Sequence, residues 1–187
     1  IRWIENRMNQ KINHILKTKD VDYVIASDTD SIYLNLGPLV EVIYKEREKT
    51  TESVVGFLNK ICEVEFEKYI ESSYETLARY VNAYDQKMIM KRENIADRGI
   101  WTAKKRYILN VWDSEGVRYK EPKLKIMGLE TARSSTPAYF RTKLYDAFKM
   151  IVTKTNDDLI KYIEDTKRET NSQDYSEISF PRGVNGL

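Results

Sequence analysis

Between Tyr23 and Leu34 the chain reads Tyr-Val-Ile-Ala-Ser-Asp-Thr-Asp-Ser-Ile-Tyr-Leu, two short apolar runs with an acidic tetrad between them. Val24, Ile25 and Ala26, then Ile32, Tyr33 and Leu34, have the β-branched and aromatic character of strands, while Asp28-Thr29-Asp30-Ser31 has turn chemistry. The pattern predicts a β-hairpin with Asp28 and Asp30 at its tip. Residues two apart in extended chain point the same way, so both carboxylates are expected to face one point in space. Like charges held together beside an apolar sheet repel unless a cation or a proton lies between them. A divalent metal is the economical explanation. The other reading is an ordinary hydrated turn, which Asp and Ser form routinely, although the tetrad has no Gly for a tight two-residue loop and its flanks are densely apolar. An EF-hand calcium loop fits poorly, because the mid-loop Gly and closing Glu are missing.

Charge is distributed unevenly. The 187 residues hold 31 Lys and Arg against 29 Asp and Glu, a net charge of +2. Residues 87–143 alone hold fourteen Lys and Arg against six Asp and Glu, leaving seventeen against twenty-three elsewhere. A local excess of this kind suits a surface that tracks a phosphate backbone, where each cation displaces condensed counterions; a merely solvated face is the alternative. The densest part is Lys104-Lys105-Arg106-Tyr107, between Trp101 and Ile108-Leu109. Read as a strand, it places Lys105 and Tyr107 on one face and Lys104 and Arg106 on the other. A cation beside a flat ring suits a duplex minor groove, where shape and sugar-phosphate contacts outweigh base identity.

The remaining pattern predicts an α+β fold. Apolar residues recur at helical spacing from Ile1 through Leu16; His14 beside that stripe reads as a structural or surface group. Gly37-Pro38 ends the hairpin, and a helical stretch runs from Thr50, Thr51 or Ser53 as caps to about Asn82, with Val54, Phe57, Leu58, Ile61, Phe66, Tyr69, Leu77 and Val81 on its stripe. Strands are predicted over Met88 to Ile95, within Trp101 to Trp112, from Val117 to Tyr119 and from Pro122 to Gly128, with a turn at Asp113-Ser-Glu-Gly116. Ser135 or Thr136 then caps a helix carrying Phe140, Leu144, Phe148 and Ile151. Asn156 or Asp157 caps another, ending near Thr170, with Leu159, Tyr162 and Ile163 on its inner face. The single Cys62 excludes an internal disulfide. No apolar run reaches membrane length and no signal peptide is visible, so a soluble chain of a reducing cytoplasm is expected. The helical pattern is under way at the first residue and the last residues, Ser179 to Leu187, are turn-rich, so an internal stretch of a longer protein is expected.

An apolar strand, Asp-Thr-Asp-Ser and a second apolar strand resemble the palm-domain signature of family B DNA polymerases. Lys104-Lys105-Arg106-Tyr107 is similar to the Lys-Lys-Arg-Tyr stretch of the phage-type members, which holds the primer-template duplex. Lys125-Ile-Met-Gly128-Leu-Glu130-Thr131, with Ser-Thr-Pro137 after it, resembles the passage from palm to thumb. The resemblance implies an antiparallel palm sheet with packed helices over residues 1–130 and the start of a helical thumb over 131–187. It implies that Asp30 is a ligand to two magnesium ions, that Asp28 is the less direct second carboxylate, that Glu93 is an acidic outlier near the metals and that Thr29 lies beside the incoming nucleotide. Implied partners are primer-template DNA, deoxynucleoside triphosphates, the remainder of the polymerase and a sliding clamp, in a host bacterial cytoplasm if the gene is a phage's. The family's first metal motif, an Asp before a Ser-Leu-Tyr-Pro-Ser-like run, and its Lys- and Asn-bearing fingers helix are not in these residues. The stretch is therefore expected to be inactive alone. A nucleic-acid-binding module without chemistry is the alternative. Reverse transcriptases and viral RNA polymerases typically carry adjacent aspartates at this hairpin, and the intervening Thr29 favours the DNA-templated family.

Overall fold

Residues 1–180 are described by a computed structural model, and the fold is α+β with about half of the chain helical. Two compact units divide it: Ile1–Ile95 with Asp113–Arg118, and Ala96–Trp112 with the residues from Tyr119 onward.

The first unit is built on α1 (Arg2–Leu16), where Ile4, Met8 and Ile12 succeed one another at one-turn spacing and are fully buried. Each such side chain contributes about 1.5–3 kcal/mol by leaving water. They pack with Tyr23, Leu39, Phe66, Ile70 and Tyr74 into one core. Strands β1 (Val24–Ser27) and β2 (Ile32–Leu34) pair antiparallel. Val24 faces Leu34, but Ala26 already faces Tyr33, so β1 carries one extra residue, Ile25. Such a bulge bends the strand and re-aims the residues beyond it. Helix α2 (Gly37–Ile43) takes Pro38 in its first turn, where the missing N–H costs no hydrogen bond. Helices α3 (Thr51–Ile61) and α4 (Glu67–Tyr80) form one rod joined by a π turn over Cys62–Phe66. Thr50 caps α3, its Oγ1 accepting from the Ser53 N–H at 3.2 Å. The π turn has a trace in the sequence: the apolar stripe steps by five residues from Ile61 to Phe66, and an i→i+5 turn absorbs the surplus.

A two-stranded hairpin alone is marginal in water. Here α1 holds it. Asn9 Oδ1 accepts from the Tyr23 N–H at 2.8 Å and the Val24 N–H at 3.0 Å, while its Nδ2 donates to Asp22 at 2.7 Å. One turn on, Asn13 accepts from the Val21 N–H at 3.1 Å and donates to the Val21 carbonyl at 2.7 Å. Two amides at i and i+4 thus clasp the backbone entering β1.

The three-stranded antiparallel sheet runs β3-β4-β5, with β3 at Asn94–Ala103, β4 at Arg106–Ser114 and β5 at Val117–Met127, and most of its residues belong to the second unit. Its central strand carries buried Tyr107, Ile108, Leu109 and Val111. Helices α5 (Ala138–Thr153), α6 (Asn156–Thr170) and α7 (Tyr175–Ile178) come after a 3₁₀ turn at Glu130–Ala132. Ile108, Leu129 and Val152 form this unit's core, with Leu124, Ile126 and Phe148 against it.

Several expectations are corrected. Strand β3 begins only at Asn94, so Met88 to Glu93 is not strand. The two returning runs are one strand, β5, and Pro122 is tolerated within it because β5 lies at the sheet edge. The β4–β5 turn is Glu115-Gly116 alone, both residues left-handed at φ 51° and 88°. Neither Ser135 nor Thr136 caps α5, whose N-cap is Pro137; Thr136 Oγ1 instead donates to the Glu130 carbonyl at 2.7 Å. Thr155, not Asn156 or Asp157, caps α6 in a reciprocal box with Asp158. Helix α4 ends at Tyr80, leaving Val81 exposed, and Ile151 and Ile163 are exposed as well. The turn-rich run from Pro181 to Leu187 lies outside the described residues.

Asn9→Ala leaves the Tyr23 N–H without its acceptor and the Val24 N–H with Asp22 Oδ1 alone, at 3.2 Å, and is expected to destabilise the protein by about 1–3 kcal/mol, slightly offset because Ala favours helix. Urea denaturation checks the magnitude, and hydrogen exchange should lose protection first at the Tyr23 and Val24 amides.

Candidate metal loop and nucleic-acid interface

Residues 28–31 form the loop between β1 and β2, closed by the Asp28 N–H donating to the Ser31 carbonyl at 2.9 Å. None of the four has positive φ, as expected for a tip without Gly. The two carboxylates differ in setting. Asp28 is half-buried, and its Oδ1 accepts from the Thr29 N–H at 2.8 Å and from Thr29 Oγ1 at 3.2 Å. Thr29 and Asp30 are exposed. One acid thus organises the loop while the other faces solvent. Two expectations from the sequence are corrected: the tetrad is bent, so strand alternation does not set the directions of Asp28 and Asp30, and the flanks are only partly covered, Ile25 being 51% exposed.

Glu93 is exposed just before β3. Its carbonyl is held by the Glu115 N–H at 2.6 Å and by Arg92 Nη1 at 3.2 Å, and its carboxylate accepts from Asn94 Nδ2 at 3.1 Å. Among the described residues no three His, Cys, Asp or Glu side chains gather so as to hold an ion. Asp28, Asp30 and Glu93 therefore do not make a ready cage. The donors nonetheless suit magnesium, a hard cation usually held by one or two carboxylates with water and substrate phosphate completing its octahedron.

The basic segment does not point uniformly outward. Arg92, its side chain 9% exposed, is ion-paired with Asp113 and hydrogen-bonded to Asn59, while its backbone N–H donates to Glu67 at 3.0 Å. The side chain of Asp113 is 2% exposed and also accepts from the Gly116 N–H at 3.0 Å, with Arg118 Nε 3.8 Å away. Removing one partner of such a pair strands a buried charge and costs about 3–5 kcal/mol. In the second unit Arg98 donates to the Val152 carbonyl at 3.0 Å, at the end of α5, and Lys143 pairs with Glu169 at 2.5 Å. Five of the fourteen cations of residues 87–143, counting Arg106 below, thus serve the fold.

Lys104 and Lys105 form the two-residue turn between β3 and β4 and are exposed, so the strand alternation expected across Lys104 to Tyr107 applies only from Arg106 onward. Lys105 is left-handed at φ 61°. That conformation costs a side-chain-bearing residue about 1–2 kcal/mol and draws attention to function where it persists. Arg106 Nε donates to the Gly128 carbonyl at 3.2 Å, and its guanidinium pairs with Glu130. Tyr107 is buried, its ring 6.3 Å from that of Trp101. Gly128, at φ 67°, lies against the turn: a Cβ there would stand 2.2 Å from the Lys105 carbonyl. Its own backbone hydrogen bond, and then Arg106, hold the Glu130 carboxyl below the usual carboxylate range. The pair thus keeps both charges down to that lowered value and weakens only as pH falls through it.

Sequence reasoning missed Asn9, Asn13 and the Arg92–Asp113 pair. Asn9 and Asn13 did leave a signal, two amides at i and i+4 beside the apolar stripe of α1. Arg92 left none that separates it from its exposed neighbours.

No family model matches the chain. Two curated proteins resemble it throughout or nearly so. The DNA-directed DNA polymerase of Enterobacteria phage T4 is 33% identical over 195 aligned positions, which take in the whole of this chain and 22% of that protein. The DNA-directed DNA polymerase of Escherichia phage RB69 is 38% identical over 160 positions, 81% of this chain and 18% of its relative. The chain spans about a fifth of the length of either. This likeness over the full length of the chain places it in the family of phage family B DNA polymerases.

Proposed function

We propose that these residues are the later palm, 1–130, and the start of the thumb, 131–187, of a DNA-directed DNA polymerase that adds deoxynucleotides to a primer. What supports the reading most is the asymmetry of the Asp28-Thr29-Asp30-Ser31 loop, one carboxylate turned onto its own backbone neighbour and the other exposed. In this reading Asp30 is the metal-holding carboxylate, Asp28 orders the loop and shares the charge, Glu93 is outlying support and Thr29 lies beside the incoming nucleotide. Asp30, with Asp28 beside it, would hold a divalent metal, magnesium on the donor chemistry, which would supply a lowered pKa at a primer 3′-hydroxyl and charge stabilisation at the triphosphate leaving group. The loop's contribution is to hold Asp30 at a fixed point in solvent, where water and phosphate oxygens complete what two carboxylates begin. Primer-template duplex is held through Lys104 to Tyr107, of which the exposed Lys104-Lys105 turn offers the cations and Arg106 and Tyr107 lie behind it. The 187 residues taken alone do not extend a primer, because two loop carboxylates need further ligands from the rest of the polymerase.

A nucleic-acid-binding module without chemistry is the second reading, favoured by the lack of a three-acid cluster among the described residues. Primer extension by the whole protein separates the two. Asp30→Asn is expected to reduce extension roughly a hundredfold or more while duplex affinity holds, since several kcal/mol of metal stabilisation are lost at about 1.4 kcal/mol per tenfold. Asp28→Asn should cost less. Unchanged extension by Asp30→Asn removes the catalytic reading.

Lys105 gives a second test. Lys105→Gly relieves the left-handed backbone and is expected to raise the melting temperature, while weakening duplex binding by the loss of one cation. A variant that is both more stable and equally tight-binding contradicts the role given to that turn.

A further inference from the structure

We propose that Arg106 is a positioning residue: with Glu130 and Gly128 it forms a strap that holds the Lys104-Lys105 turn in place, and it is not itself a cation that meets phosphate. The inference rests on the reading of that turn as a duplex contact.

Arg106 is the first residue of β4 after the turn, and its guanidinium, though partly exposed, is taken up by partners within the protein. Its Nε reaches the Gly128 carbonyl at 3.2 Å and its terminal nitrogen pairs with the Glu130 carboxylate. Both partners belong to the segment leaving β5, and that segment is anchored. Leu129, between them, is buried in the core with Ile108 and Val152. The Glu130 carbonyl is held by Thr136 Oγ1 at 2.7 Å and by the Arg133 N–H at 3.1 Å. The strap therefore ties the turn to a fixed point.

Gly128 adds a steric half. Its absent side chain lets its backbone press on the Lys105 carbonyl, where even one methyl would stand 2.2 Å away. Lys105 meanwhile occupies a left-handed conformation that a lysine does not choose unaided. A hydrogen bond, an ion pair and a close backbone contact thus converge on one strained residue. A guanidinium neutralised by a carboxylate releases few counterions, because its charge is already balanced within the protein. The lysines beside it are the cations offered to the duplex.

Opposite signs are expected for one variant under the two roles. Glu130→Gln keeps the charge of Arg106 and removes its partner. If Arg106 were a phosphate contact, this would free it and tighten duplex binding. As a strap, losing Glu130 loosens the turn and weakens binding about three- to fivefold, the scale of a partly exposed ion pair. The experiment is fluorescence anisotropy of a labelled primer-template duplex with the whole protein over a range of KCl, with thermal melts to confirm folding. Arg106→Gln and Glu130→Gln should each weaken binding with the salt slope unchanged, and the double variant should be no weaker than either single. Gly128→Ala should weaken binding without altering any charge, and serves if Arg106→Gln fails to fold. Tighter binding by Glu130→Gln, or a slope lowered by about 0.9 in Arg106→Gln, overturns the proposal. Lys104→Ala with Lys105→Ala is the control on the underlying reading. If that double variant binds duplex as the parent does, the turn is no duplex contact and both ideas fail, whereas a loss there with no effect of Glu130→Gln or Gly128→Ala refutes the strap alone.

Discussion

Two asparagine side chains hold the acid hairpin to the rest of its unit. Strands of four and three residues, one of them bulged, do not hold a loop still by their own ladder. What fixes the loop is α1, whose Asn9 and Asn13 replace sheet partners for Val21, Tyr23 and Val24, and whose Ile4, Met8 and Ile12 bury the same helix in the core. Tyr23 belongs to both systems: its ring is in the core and its hydroxyl lies 2.9 Å from Thr18 Oγ1. The position of Asp28 and Asp30 is thus inherited from a helix earlier in the chain. Preorganisation of this kind fixes where the two loop carboxylates stand.

The first unit repeats the theme with charge. Arg92 reaches across from the segment before β3 to Asn59 of α3, to Asp113 and to the carbonyl of Glu93, so the chain on either side of β3 and β4 is closed by one guanidinium. Arg forms such a node better than Lys, because its planar fork meets several acceptors at once. In the second unit the same chemistry serves a turn, with Arg106 reaching Gly128 and Glu130. In both places a residue that raises the chain's positive count is paired with a carboxylate within its own unit, Arg92 almost out of solvent and Arg106 still partly exposed.

Much of the fold was legible because it is written in local rules. The stripe of α1, the Thr50 cap, the end of the hairpin at Gly37-Pro38 and the hairpin around Asp-Thr-Asp-Ser all derive from neighbours in sequence. The misses have a common cause. Met88 to Glu93 has strand composition, but the Met88 backbone bonds to the Gln86 side chain, the Arg92 N–H donates to Glu67 and the Glu93 carbonyl accepts from Glu115 and Arg92, demands that propensity does not see. Thr136 has cap chemistry and uses it on Glu130. Pro122 reads as the start of a separate strand, whereas at a sheet edge a Pro is tolerated inside one. At the site, the acids and the lysines were visible as residue types, whereas their directions were not: a four-residue loop and a two-residue turn escape the alternation that governs strands, and Arg106 looks like its neighbours until Glu130 is beside it.

The polymerase reading depends on Asp30 gripping a divalent cation at the tip of β1 and β2. Replacing magnesium by Fe²⁺ in the whole protein with primer-template present, and generating radicals at the bound iron, cuts the backbone beside the ion; mass spectrometry then locates the cut. Cleavage concentrated at residues 28–31, abolished by excess Mg²⁺ and by Asp30→Asn, is the predicted result. Cleavage that spares this loop, or that persists undiminished in Asp30→Asn, contradicts it.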